Sequence, residues 1–186
     1  MGITNVSRML PRLGRRGAIA LMRAVDEMVW DLANREGPDV TWLASDLAIG
    51  GRVLADEWLA VAAAGIGAVI DCRAEECDPV DRLDQLGIAF LHLPTPDSGA
   101  FTPEQVAKAV AWIEQQTTLG RRTLVHCQAG KGRSVLIGAA VLVRRGLTPD
   151  AALALIRERR PIVTPTPGQI ARLRAFYWGE QLPLDL

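Results

Sequence analysis

Five short runs of β-type residues are separated by stretches with helical spacing, and that alternation leaves few folds open to the chain. The runs are Thr41 to Leu43, Leu47 to Ile49, Ala68 to Ile70, Ala89 to Leu93 and Thr123 to His126. Strands that alternate with helices are joined by crossovers, so the pattern predicts one α/β domain, a central mostly parallel sheet of four to five strands flanked by helices on both faces. The helices are well punctuated. Thr102-Pro103-Glu104-Gln105 is a capping box with proline at the first helical position, and Gly120 closes that segment. Thr148-Pro149-Asp150 opens another helix, and Arg157, Arg159 and Arg160 stand before Pro161, where cations meet the negative end of the dipole. Upstream, Ala18, Met22, Val25, Val29 and Leu32 predict a helix over 15–35. Residues 1–39 therefore read as a basic N-terminal segment with a helix, and residues 40–180 as the main domain.

Composition removes several classes of function. A chain of 186 residues, 49% of them hydrophobic, is long enough to build a core without disulfides or structural metal. Three widely spaced cysteines suit a reducing, cytoplasmic location. The 21 basic side chains balance 21 acidic ones, which argues against nucleic acid as a partner. The longest apolar stretch, Val135 to Val143, is too short to span a bilayer. Residues 1–25 depart from the balance, with Arg8, Arg12, Arg15, Arg16 and Arg23 and no acid. Leu10, Leu13 and Ile19 are interspersed, so this segment reads either as a solvated basic helix face or as a peripheral contact with anionic membrane.

The chemistry concentrates in one place. The buried-type strand ending in His126-Cys127 runs into Gln128-Ala129-Gly130-Lys131-Gly132-Arg133-Ser134, after which Val135 to Arg145 has helical spacing. Backbone N–H groups of such a loop, together with a helix N-terminus, suit a phosphate dianion. The same field stabilises a thiolate at Cys127, and Arg133 has the planar fork to grip two phosphate oxygens. A Walker A loop fails here, because Val125 stands where its first glycine belongs and Arg133 follows Gly132. Zinc fails as well: the chain has two histidines, no Cys-x-x-Cys, and an unsuitable Cys72 to Cys77 spacing. No cofactor and no metal are expected. A packing role fits Cys127 or Arg133 alone but poorly explains both with two glycines between them.

His126-Cys127-x5-Arg133-Ser134 resembles the signature of cysteine-dependent protein tyrosine phosphatases, in particular their small dual-specificity branch. The resemblance covers about residues 40 to 178 and includes the Leu47-Ala48-Ile49-Gly50-Gly51 strand-turn. It implies that Cys127 is the nucleophile, Arg133 the phosphate clamp, Ser134 the hydroxyl assisting the departing cysteine, and His126 a residue that orients the loop. Gln128, Ala129, Gly130, Lys131 and Gly132 would bind the substrate phosphate. A general acid is still required. Asp97, in the turn-rich Leu93-Pro94-Thr95-Pro96-Asp97-Ser98-Gly99, sits where small members of the family carry theirs, although Asp97-Ser98-Gly99 also fits plain turn chemistry. Gln169 reads equally as a water-positioning residue or as a solvated first-turn residue. Arg73 and Glu75-Glu76-Cys77-Asp78 follow the third strand on the side where parallel strands end and active sites collect, and read as a solvated loop in preference to a part of the site.

The expected activity is phosphomonoester hydrolysis through a cysteinyl-phosphate, acting on phosphotyrosine, phosphoserine or phosphothreonine of proteins. The loop also resembles that of tensin-related phosphoinositide phosphatases, and Leu93 to Ala175 resembles the phosphatidylglycerophosphate phosphatases, so a phospholipid is the alternative substrate. A silent phospho-ligand binding module and a rhodanese-type sulfur transferase are the rivals from other classes. Cys72, which ends the third strand, is a candidate redox partner for Cys127, as in a tensin-related phosphatase, or else a small buried hydrophobe.

Overall fold

The computed structural model describes residues 37–181. The expected helix over 15–35 and the basic segment 1–25, with its membrane reading, lie outside the described residues. The compact unit opens at Gly37. Asp39 accepts a hydrogen bond from the Gly51 N–H at 3.0 Å and so belongs to the domain.

Strands β1 (Val40–Ala44), β2 (Leu47–Gly50), β3 (Ile66–Arg73), β4 (Ala89–Thr95) and β5 (Arg122–His126) form one sheet in the order β1-β2-β5-β3-β4. β1 and β2 pair antiparallel across the tight Ser45-Asp46 turn, and the other three pairings are parallel. β3 is longer than the apolar run Ala68 to Ile70 because the ladder carries polar Asp71 and Arg73 into the sheet, where buried partners satisfy them.

The helices are α1 (Trp58–Ala63), α2 (Val80–Gln85), α3 (Pro103–Thr118), α4 (Arg133–Arg144), α5 (Pro149–Arg159) and α6 (Pro167–Gln181). Alternation along the strands sorts them between the two faces. Leu47, Ile49, Ile70, Cys72 and Val125 share one core with residues of α3, α4, α5 and α6. Ala48, Val69 and Leu124 share the other with Trp58, Val61 and Leu83 of α1 and α2. In α3, Val106, Ala109, Val110 and Ile113 make the buried stripe, and the Thr102 to Gln105 capping box forms in full. Among the described residues no helix is long and apolar enough to cross a membrane.

α4 is enclosed over almost its whole length, from Arg133 to Val143. It fits so close to the sheet because Gly138 has no side chain: a Cβ there would stand 2.7 Å from Ile49 Cγ2 and 2.9 Å from Leu43 Cδ1. Gly138→Val overpacks this contact and is expected to cost about 1–3 kcal/mol, read as a lower urea midpoint at unchanged m-value.

Candidate active site

Parallel strands β2, β5 and β3 finish at one edge, where His126 faces Gly50 on one side and Asp71 on the other. Open α/β sheets collect their ligands at this edge. Cys127 leaves β5 there, and the loop Cys127 to Gly132 leads into α4, whose first turn has no side-chain cap.

Four successive carbonyls of that loop are held from outside it. Gln128 O accepts from the Arg52 N–H at 3.0 Å and Lys131 O from the Thr164 N–H at 2.8 Å. Ala129 O and Gly130 O accept from the Arg160 guanidinium at 3.4 and 2.8 Å. None of these peptides is cis. A trans peptide sets its N–H opposite its C=O, so the N–H groups of Ala129, Gly130, Lys131 and Gly132 turn away from those partners and inward. Gly130 makes this possible. Its φ is +65°, and a Cβ would run into Arg160 and stand 2.8 Å from the backbone of Gly50 and Gly51. Arg160, read from the sequence as a cation on the helix dipole, is turned onto the loop instead.

The cavity bounded by this loop has a volume of about 190 Å³, with Cys127 and Arg133 in its lining. The Cys127 thiol stands 3.5 Å from the Ser134 hydroxyl, which also donates to Gly50 O at 3.2 Å. Arg133 is 2% exposed and forks onto Glu75, at 2.8 Å from Nη1 and 2.7 Å from Nη2. The second hydrogen of Nη1 goes to Thr95 O at 2.9 Å, and that of Nη2 to Asp97 Oδ1 at 2.9 Å. These four bonds leave Nε out. Burial opposes the Arg133 charge, yet the bond to Glu75 and the charges of Cys127, Glu75 and Asp97 outweigh it, so its pKa is raised. The bond to Arg133 in turn lowers Glu75 to about 2. Glu75 is thus a site residue that the sequence reading placed in a solvated loop. Only its position, four residues after the β3 aspartate that faces His126, signals the site.

Asp97 is largely exposed apart from its contact with Arg133. The Gly99 N–H donates to Pro96 O at 2.9 Å, closing a turn in which Ser98 has φ +59°. The turn reading of Asp97-Ser98-Gly99 holds: the turn is tight, with a non-glycine residue in the left-handed region, and it brings the Asp97 carboxylate to the Arg133 guanidinium.

Beneath the loop, the solvated-loop reading of Arg73 and Asp78 is corrected: both are buried. Arg73 donates to Asp71 through Nε and Nη2 at 2.9 Å each, and to Asp78 Oδ1 at 2.6 Å. Asp78 Oδ2 lies 2.6 Å from His126 Nε2, and the Trp58 ring meets the imidazole edge-on. Charged groups of a short loop are buried here because they satisfy one another. The ligand atoms of Asp71, Asp78 and His126 lie within 4.8 Å of one another. The Arg73 guanidinium already sits on both carboxylates, so this cluster does not fit a metal ion.

Ala129, Lys131, Gly132 and Arg133 line the cavity, whereas Gln128 and Gly130 contribute backbone from outside its lining. Gln169 also lines it and is 1% exposed, which overturns the solvated first-turn reading. Its amide accepts from the Thr166 N–H at 2.9 Å and donates to Gly99 O at 2.8 Å, tying α6 to the acid loop. Cys72 follows Asp71 as Cys127 follows His126, across paired strands, and the two thiols join the same core. Burial, and then the charge of Cys127, pushes the Cys72 thiol well up.

The Glu75 fork holds Arg133 through two charge-assisted bonds. Because the Glu75 pKa is depressed, the pair is fully formed above its ordinary pKa of 4.5 and lost only as pH falls toward 2. Glu75→Gln is expected to lower kcat/KM for an aryl phosphate about 10- to 100-fold without moving the acid limb of the pH–rate profile. Unchanged steady-state kinetics would remove Glu75 from the site.

Comparison with known proteins agrees with this geometry. Residues 56–178 match the family described as dual specificity phosphatase, catalytic domain. The human phosphatidylglycerophosphatase and protein-tyrosine phosphatase 1 is 31% identical over 103 residues, covering 54% of this chain and 51% of the relative. Mouse dual specificity protein phosphatase 19 is 32% identical over 95 residues, covering 50% and 41%. The chain thus spans about half the length, or less, of these curated relatives. The crystal structure of Tk-PTP in the active form superposes with a TM-score of 0.70 at 30% identity, covering 76% of this chain and 97% of that one. The family match runs through most of the described domain and contains Cys127, Arg133 and Asp97, so the chain belongs to the dual specificity phosphatase catalytic-domain family.

Proposed function

We propose that the protein hydrolyses phosphomonoesters through a cysteinyl-phosphate intermediate, acting on phosphorylated tyrosine, serine or threonine of proteins. The observation that carries this reading is the convergence of Cys127, Arg133 and Asp97 on one cavity beside a loop whose N–H groups turn inward. A silent binding module needs no such acid.

Asp97 accepts an Nη2 hydrogen of Arg133. An arriving phosphate takes Nε and Nη2 of the guanidinium, which releases Asp97. The Cys127 thiolate attacks phosphorus, the bond to the leaving oxygen breaks, and Asp97 gives that oxygen its proton. Water then attacks the phosphocysteine while Asp97 accepts a proton. The S–P bond breaks, and the Ser134 hydroxyl, turning its hydrogen from Gly50 O to sulfur, stabilises the returning thiolate. Inward N–H groups and Arg133 meet the equatorial charge throughout. Gln169 retains one amide hydrogen and one lone pair beyond its two bonds, with which it can orient the water.

The second reading is a phospholipid substrate, a phosphoinositide or phosphatidylglycerophosphate, favoured by the names of several relatives and by Lys131 in the cavity lining. Among the described residues Lys131 and Arg133 are the only cations in that lining, which suits a single phosphate better than several. Side-by-side assay of phosphotyrosine peptide, phosphothreonine peptide, phosphoinositide and phosphatidylglycerophosphate, with Cys127→Ser as control, decides between them. Phosphate release from none of the four refutes the phosphatase reading.

Asp97→Asn is expected to lower kcat about 10²–10⁴-fold for alkyl phosphates and much less for aryl phosphates, whose phenolates leave without full protonation. Equal losses in both classes would make Asp97 a loop-supporting residue only.

The proximity of Cys72 also supports a reversible redox stop. Peroxide oxidises the Cys127 thiolate to a sulfenic acid, and the Cys72 thiol displaces its oxygen as water to form a disulfide. A raised Cys72 pKa makes that second step slow. Non-reducing peptide mapping after peroxide treatment should reveal the Cys72 to Cys127 bridge, and Cys72→Ser enzyme should fail to recover under reductant. Full recovery leaves Cys72 as a core residue.

A further inference from the structure

Arg160 does more than end α5. It is 5% exposed, and its guanidinium reaches two different things at once. On one side Nε donates to Gly130 O at 2.8 Å and Nη2 to Ala129 O at 3.4 Å. On the other, Nη1 and Nη2 each stand 2.6 Å from an oxygen of Asp39, and Nη1 also donates to Thr41 Oγ1 at 3.1 Å. Asp39 Oδ2 then accepts from the Gly51 N–H at 3.0 Å. Its neighbourhood is tight: a Cβ on Gly51 would lie 2.5 Å from that same oxygen. The Gly50-Gly51 turn is fastened to the loop by two further bonds, Arg52 N–H to Gln128 O at 3.0 Å and Cys127 N–H to Gly50 O at 3.3 Å.

An arginine that grips two carbonyls needs a fixed guanidinium plane, and a bidentate carboxylate supplies it. The Asp39 carboxylate also cancels the charge that burial would otherwise penalise. The two carbonyls so gripped belong to peptides whose N–H groups, on Gly130 and Lys131, lie in the middle of the phosphate cradle. Asp39 precedes the span matched to the family, which begins at residue 56.

We propose that Asp39 and Arg160 form a positioning pair for phosphoryl transfer: they hold the Ala129 and Gly130 carbonyls outward and thereby keep the cradle's central N–H groups aimed at the phosphate. The pair touches no substrate atom and acts only through the loop. It rests on the phosphatase reading above, and it adds a residue outside the signature on which the affinity of the cradle for an anion depends.

The test compares alkylation of Cys127 by iodoacetate, an anion, and by iodoacetamide, its neutral counterpart, in full-length protein, with modification of Cys127 read by peptide mapping. The carboxylate of iodoacetate draws on the cradle; the amide does not. Wild-type enzyme is expected to favour iodoacetate. Asp39→Asn and Arg160→Lys are each expected to lower that preference on the order of tenfold, about the loss of one charge-assisted hydrogen bond, with kcat/KM falling in step and the iodoacetamide rate, which feels the cradle only through the thiolate, falling less. Asn at 39 keeps the shape and one acceptor, and Lys at 160 keeps the charge without the fork. Should Asp39→Asn melt below assay temperature, Arg160→Lys decides. A preference equal to wild type in the folded variants overturns the pair as a positioning device and leaves it a packing contact. A wild-type enzyme that prefers neither reagent and releases no phosphate overturns the phosphatase reading, and this proposal with it.

Discussion

A peptide group that turns its carbonyl one way turns its N–H the other, and the site depends on that constraint. The loop after β5 has little side-chain substance of its own, and an isolated segment of this kind would sample many shapes. What selects one shape is the set of external donors on the carbonyls of Gln128, Ala129, Gly130 and Lys131. Those donors come from three separate places: the turn after β2, the end of α5 and the segment before α6. The cradle is thus a product of tertiary structure, and the sheet edge is where the three places meet.

Charge around the site is arranged in two layers that differ in access to water. Arg133 faces the cavity, and its carboxylate partners Glu75 and Asp97 are both substantially exposed. Such an arginine can exchange one partner for a ligand oxygen at modest cost, because the displaced carboxylate finds water. Arg73 lies beneath, enclosed with Asp71, Asp78 and His126. Its one exposed partner is Glu76, on Nη1 at 2.6 Å, while the bonds to Asp71 and Asp78 are closed to exchange. One arginine is built to change partners and the other to keep them, although both use the same planar fork.

Local rules made part of this legible. The five strands, the Thr102 capping box and the strand–loop–helix run from Cys127 to Arg133 depend on residues close in sequence, and each appears in the structure near its expected place. The antiparallel β1–β2 pair fits the tight turn between them, while the strand order required contacts that no local pattern encodes. Most of the misreadings concern charge. Glu75, Arg73, Asp78 and Arg160 are charged residues in or beside loops, where solvation is the default expectation. Three of them are matched by a group far away in sequence, Glu75 by Arg133, Asp78 by His126 and Arg160 by Asp39, whereas Arg73 is matched by its near neighbours Asp71, Glu76 and Asp78. A single sequence does not display such pairings, because the pairing is what determines the burial.

The enclosed set of Asp71, Arg73, Asp78 and His126 has a consequence for how this protein can change. Removing one member of a buried ion network strands the charge of another, at about 3–5 kcal/mol, whereas exchanging the whole set for apolar side chains of similar volume can be neutral or better. The four positions therefore behave as one locus. A library that randomises them singly would register each as immutable, while one that randomises them together would find solutions separated from the present sequence by a valley that stepwise substitution does not cross.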